Sequence, residues 1–198
     1  MNTSMFKSQR WGRQGWRTPV MAWTVGLTLW CGACLVSRAD GSLSEYQVKA
    51  LFILNFTKYV DWPPQTLVGS NTPITIGIYG DSKLGEALRH VLAGKSAGGR
   101  AIVVRQIQST NDYNQCQILF ISHSAASRMS AILEKACAWP VLTVGEDAAF
   151  AQNGGIINFV LRNGNVRLEI DLAAARKAGL TISSRLLAVA DVVKGKPD

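Results

Sequence analysis

Ligands for soft metals are scarce in this 198-residue chain, which holds two histidines and four cysteines. His90 and His123 stand far apart, with no partner at metal-ligand spacing, so the sequence carries no metal motif. Nucleotide fingerprints are missing as well. Gly80-Asp81-Ser82-Lys83-Leu84-Gly85 lacks both the third glycine of a dinucleotide motif and a Gly-Lys-Ser/Thr end. It reads as a tight turn with Asp81 or Ser82 capping a helix, whose amino end keeps some capacity for an anion. Ser122-His123-Ser124 offers nucleophile-type side chains without the elbow motif that surrounds them in hydrolases. No repeat or low-complexity segment occurs, and no long apolar run follows residue 39. These absences argue against an enzyme, a cofactor-binding protein and a repeat protein.

Acidic side chains are absent from residues 1–39, which carry Lys7, Arg10, Arg13, Arg17 and Arg38 instead. An apolar run spans Pro19 to Val36, and Ser37-Arg38-Ala39 precedes Asp40. Cations, an apolar stretch and small residues in that order form a signal-peptide pattern, with cleavage expected after Ala39. An uncleaved membrane anchor is the other reading, since the run approaches the ~20 residues of a membrane span. Lipid attachment at Cys34 has weaker support, because Cys31-Gly32-Ala33 lacks the usual leucine. The leader changes how the charge is read. The whole chain has a net charge of +8, but five of its 21 cations and none of its 13 acids lie in residues 1–39, leaving +3. The remaining cations are scattered, which argues against nucleic acid. Residues 40–198 are the size of one domain.

What the chain does have is a very apolar helix at the start of that domain. From Tyr46 to Val60 the wheel is apolar almost all round, as in a helix packed on more than one side. Val48, Phe52, Phe56 and Tyr59 share one face with Leu51 at its edge, while Ile53, Leu54 and Val60 cover the remainder. Asn55 falls within the first of these faces and is expected to be a buried amide that ties down a neighbouring segment. Trp62 precedes Pro63, so the helix should end near Asp61.

Beyond it, Ile74–Tyr79, Ala101–Ile107, Gln117–Ile121 and Val141–Val144 read as strands. Helical spacing spans Ser82–Leu92, and a second helix is expected over Ala125–Cys137 with Ser124 as its cap. Glu146–Gln152 suits one or two helical turns. Gly154–Leu161 and Asn165–Ile170 flank Arg162-Asn163-Gly164, a strong hairpin signal because both turn positions tolerate positive φ. Leu172–Ala178 and Ser184–Val193 are expected to be helices joined through Gly179. The order implies a single-domain α/β sandwich. Its sheet is mixed and mainly parallel, flanked by helices, with a β-hairpin in the C-terminal half.

Several of these stretches, taken in order, resemble the YfiR-like family of bacterial periplasmic proteins. They are Lys49-Ala50-Leu51-Phe52 with Asn55 through Pro63, then Cys116 through Ile121, Pro140 through Val144, Gly154 through Phe159, and Ala178 through Leu187. The resemblance spans roughly Tyr46 to Val193. It implies a non-catalytic regulator that binds the periplasmic sensor region of an inner-membrane diguanylate cyclase. Such a regulator represses the cyclase and so lowers cyclic-di-GMP and biofilm formation. It also implies an outer-membrane-associated protein that sequesters the repressor, and it leaves a homodimer open.

Cys116 and Cys137 are the cysteines beyond the leader, and an even pair in an oxidising compartment is a disulfide candidate. The expected topology brings both to one end of the sheet, which favours the bond over two separate buried thiols. Asp61 and Trp62, a charge beside an aromatic at a helix end, are candidates for partner contact, with a tryptophan covering the edge of the core as the equal alternative. The rival reading is a periplasmic small-molecule-binding accessory domain for a sensor or transporter. Its ligand would sit at the carboxyl ends of the strands, beside Gly80–Ser82 and Ser122–Ser124.

Overall fold

A computed structural model of the chain describes residues 43–69, 71–80 and 83–195. The leader with its cleavage point, Cys31, Cys34 and the expected cap at Asp81 or Ser82 lie outside the described residues.

The first helix, α1 (Glu45–Tyr59), opens with a capping box in which Ser44 Oγ accepts from Gln47 N and Gln47 Oε1 accepts from Ser44 N. It ends two residues earlier than expected, because Val60–Asp61 (β1) pairs antiparallel with Thr181–Ile182 (β9). An all-round apolar helix does not announce which side it buries. The buried line is Lys49, Ala50, Ile53 and Phe56, whereas Leu51 is 37% exposed. Asn55 is only half-buried and lies off that line, so the expectation of a core amide is corrected.

The principal sheet contains β2 (Ile74–Tyr79), β3 (Ser96–Ala97), β4 (Arg100–Ile107), β5 (Ile118–Ile121), β6 (Leu142–Gly145), β7 (Ile157–Arg162), β8 (Asn165–Asp171) and β10 (Asp191–Val193). Their spatial order is β10-β8-β7-β6-β5-β2-β4-β3. Pairing is parallel from β4 through β2, β5 and β6 to β7, antiparallel at β7–β8 and β3–β4, and parallel again at β8–β10. The expected mixed, mainly parallel α/β sheet is the one observed.

One face of the sheet carries Ile76, Ile78, Ile118, Phe120, Leu142, Val144, Ile157 and Phe159. They pack with α1, α2 (Lys83–Leu92), α4 (Leu172–Lys177) and α5 (Ser184–Leu187). The opposite face carries Tyr79, Leu119, Ile121 and Val141 beneath α3 (Met129–Ala136). β2, β5 and β6 are therefore buried on both faces, which explains their continuous apolar sequences. Phe150, in the turns expected as helical, lies flat on the backbone of Gly145 and Gly155. A Cβ on either glycine would run into its ring.

The hairpin turn holds Asn163 at φ 53° and Gly164 at φ 74°, the left-handed pair that a two-residue turn of this hand requires. Two expected helices differ from the structure. Ser122 rather than Ser124 caps a 3-10 helix, His123–Arg128, that leads into α3. The segment expected as one helix over Ser184–Val193 makes only the short α5, then returns as edge strand β10 alongside β8. Asp-Val-Val is a poor helix end but pairs readily with Glu169–Asp171.

Candidate functional site

In an open parallel sheet the natural crevice lies at the carboxyl ends of the strands where the chain order reverses. Here that point is between β2 and β5, whose chain successors lie on opposite sides. Ser122 and Ser124 stand beside it. Ser122 N donates to Tyr79 O (3.0 Å), the two hydroxyls are 3.3 Å apart, and a Cβ on Gly80 would lie 2.5 Å from Ser124 Oγ. His123 turns outward, 76% of its side chain exposed, and its Nδ1 sits 3.0 Å from Asp147 Oδ2. Ser122 thus acts as a cap, and the histidine belongs to an exposed hydrogen bond with Asp147.

Beside this point stands a group that the sequence did not reveal. Lys49 is 4% exposed, and its Nζ lies 2.5 Å from Glu45 Oε1 and 2.8 Å from Glu146 Oε2. The rings of Tyr46 and Phe159 stand 5.6 and 5.9 Å from the ammonium. Burial alone would lower the Lys49 pKa, but the hydrogen bonds it donates to Glu146 and Glu45 outweigh it, and the net shift is upward. The Glu45–Lys49 spacing of four was legible on the helix. Glu146 lies 97 positions away, just after β6, and no local pattern announces it. The triad pins α1 to the end of β6.

The other expected site residues are placed plainly. Trp62 is half-buried against the main core, and its Nε1 donates to Gln117 O (3.1 Å). Gln117 O also accepts from Leu142 N, so this indole stitches the loop after α1 to the starts of β5 and β6. Asp61 is exposed in β1. The disulfide expected between Cys116 and Cys137 is not formed: both are free thiols. They do lie near one end of the sheet, but their side chains face different neighbours. Cys116 is buried against Gly77 and Ile107, and burial pushes its thiol up to about 11 despite Arg105. Cys137 caps α3 in solvent, its Sγ donating to Glu134 O (2.9 Å).

Two grooves remain. One, of about 670 Å³, runs between α3 and α4 over Val141, Thr143 and Ile156, with Cys137 and Lys177 at its rim. The other, of about 510 Å³, lies between the Asn163-Gly164 turn and the Ala188–Asp191 loop. Beside it Arg162 reaches Glu169 Oε1 and Asp191 Oδ2, both at 2.9 Å, tying β7, β8 and β10 together across the side of the sheet away from α1. Among the described residues no group of three or more histidine, cysteine or acidic side chains is placed to hold a metal ion, and no helix is long and apolar enough to cross a membrane.

Comparison with known proteins supplies what the geometry does not. A family model described as YfiR/HmsC-like matches residues 46–191. No curated protein matches the chain. Among solved structures, a conserved domain protein from Vibrio cholerae O1 biovar El Tor is similar, with 15% identity and a TM-score of 0.52, over 77% of this chain and 61% of that one. An ABC domain from Streptococcus pneumoniae in complex with L-Trp is similar at 14% identity and a TM-score of 0.51, over 75% and 60%. The chain spans about three-fifths of the length of these structures, and at such identity the likeness is one of fold.

Proposed function

The chain belongs to the YfiR/HmsC-like family, and from that premise we propose that it is a non-catalytic regulator acting in the periplasm. In this reading it binds the periplasmic sensor region of an inner-membrane diguanylate cyclase, holds the enzyme inactive and lowers cyclic-di-GMP. An outer-membrane-associated protein that sequesters it would release the cyclase. Residues 1–39 would serve as the export signal, cleaved after Ala39. The observation that carries the reading is the match over residues 46–191, which runs from α1 to the first residue of β10.

Deleting the gene, in a strain that expresses the neighbouring cyclase, should raise cyclic-di-GMP and surface attachment. Unchanged cyclic-di-GMP in that strain contradicts repression. The mass of the protein recovered from the periplasm checks the leader: it should begin at Asp40, and an intact residue 1–39 segment would mean an anchor.

The groove between α3 and α4 supports a second reading, a small-molecule-binding accessory domain for a sensor or transporter. The Streptococcus pneumoniae domain was solved in complex with L-Trp. A thermal-shift screen against periplasmic metabolites separates the two readings, because a specific ligand raises the melting temperature by mass action.

A further inference from the structure

We propose that the outer edge of β10, with the groove beside it, is the docking site for an extended acidic segment of a partner protein. This rests on the reading of the chain as a regulator that works by binding. β10 is the last strand of the sheet, hydrogen-bonded to β8 alone. Among the described residues no strand pairs with its other side, so a row of backbone donors and acceptors is open to an added strand.

Exposed aliphatic side chains stand on β10, on the loop before it and, two strands away, on β7. Val189, Val192 and Leu161 are 58%, 56% and 55% exposed, whereas the strands at the middle of the sheet expose almost nothing. Exposed aliphatics beside an open edge suit the alternate side chains of a strand that adds to it. A solitary structural edge has no use for them.

Charge selects the occupant. Arg162 is already held by Glu169 and Asp191. Arg167 lines the groove and is exposed, with no ion pair among the described residues, and Lys194 follows directly on β10. Counting Arg162, Arg167 and Lys194 against Glu169 and Asp191, the rim has a net charge of +1. A second copy of the chain laid edge to edge would bring two rims of like net charge together. An acidic segment would neutralise this one, and rim charges of this kind set association rate and salt dependence.

The test uses the full chain and short labelled peptides of alternating valine and glutamate. Two control peptides carry lysine in place of glutamate, or a central proline that cannot complete the ladder. The acidic peptide should bind and slow exchange of the β10 amide that points away from β8. Both controls, and a doubly substituted Arg167→Glu/Val192→Asp protein of unchanged melting temperature, should bind about tenfold more weakly. Equal binding of either control, or full binding by the substituted protein, overturns the proposal. So does a concentration-dependent dimer that Val192→Asp abolishes, since a second copy would then cover the edge. Failure of the repression reading is separable. If gene deletion leaves cyclic-di-GMP unchanged while the acidic peptide still binds, the edge stands and the cyclase is not its partner.

Discussion

The sheet has two unlike halves. β2, β5 and β6 are buried along their whole length, and Ser122 and Ser124 stand at their carboxyl ends. The buried apolar side chains of β7 and β8 face α1. On the other side Arg162, Glu169 and Asp191 bridge these strands to β10, which ends the sheet at an open edge. A protein that worked by catalysis on this fold would be expected to keep its crevice in the first half. In this chain the open strand edge lies in the second half, at β10. The buried core residues and the proposed docking edge are thus spatially separated, and substitutions should sort accordingly.

The largest effects belong to the sealed half. Phe120 is fully buried in the main core, so Phe120→Ala should cost about 3–5 kcal/mol in denaturant unfolding. A loss under about 1 kcal/mol would mean that this half is not the stability core. Lys49→Met keeps the bulk of the side chain but leaves Glu45 and Glu146 without their shared cation. We expect a loss of about 2 kcal/mol at neutral pH, below the value for a wholly buried pair because Glu45 is partly in solvent. The pH dependence has a definite sign. The folded pKa of Lys49 lies above its unfolded 10.5, so its contribution is complete below 10.5 and is lost as pH rises through the folded value. The gap between native protein and Lys49→Met should therefore narrow in alkaline melts, and a gap that widens would contradict the triad.

In the open half the effects should be smaller. Gly164→Ala forces a side chain into the left-handed region at the hairpin turn and should cost about 1 kcal/mol. Arg162→Ala removes two ion pairs, but the arginine is more than half exposed. Its cost should stay below about 1 kcal/mol and shrink further in high salt. A cost comparable with Phe120→Ala would erase the distinction between the halves.

The same division explains what could be read from the sequence. Ile74–Tyr79 and Gln117–Ile121 were legible because a strand buried on both faces is written as an unbroken apolar run. Asn163-Gly164 was legible because two consecutive positive φ angles need those residue types. The failures come from contacts distant in sequence. α1 is apolar on every side, so the true buried line through Ala50, Ile53 and Phe56 could not be told from the one holding Asn55. Glu146 as the partner of Lys49, β10 beside β8, and the two-residue β1–β9 ladder all depend on segments far apart in the chain. For Cys116 and Cys137 the topology gave the right end of the sheet but not the direction of either side chain. The hydrogen bond from Trp62 Nε1 to Gln117 O joins residues 55 positions apart and could not be read from the sequence.

The central claim is that the open half carries the function while the sealed half carries the fold. Its most direct test is cyclic-di-GMP in a deletion strain complemented with Arg167→Glu/Val192→Asp, both positions being exposed. The account predicts a stable, exported protein at native abundance that leaves cyclic-di-GMP as high as in the uncomplemented deletion. Cyclic-di-GMP brought down to the level of the native chain would contradict it.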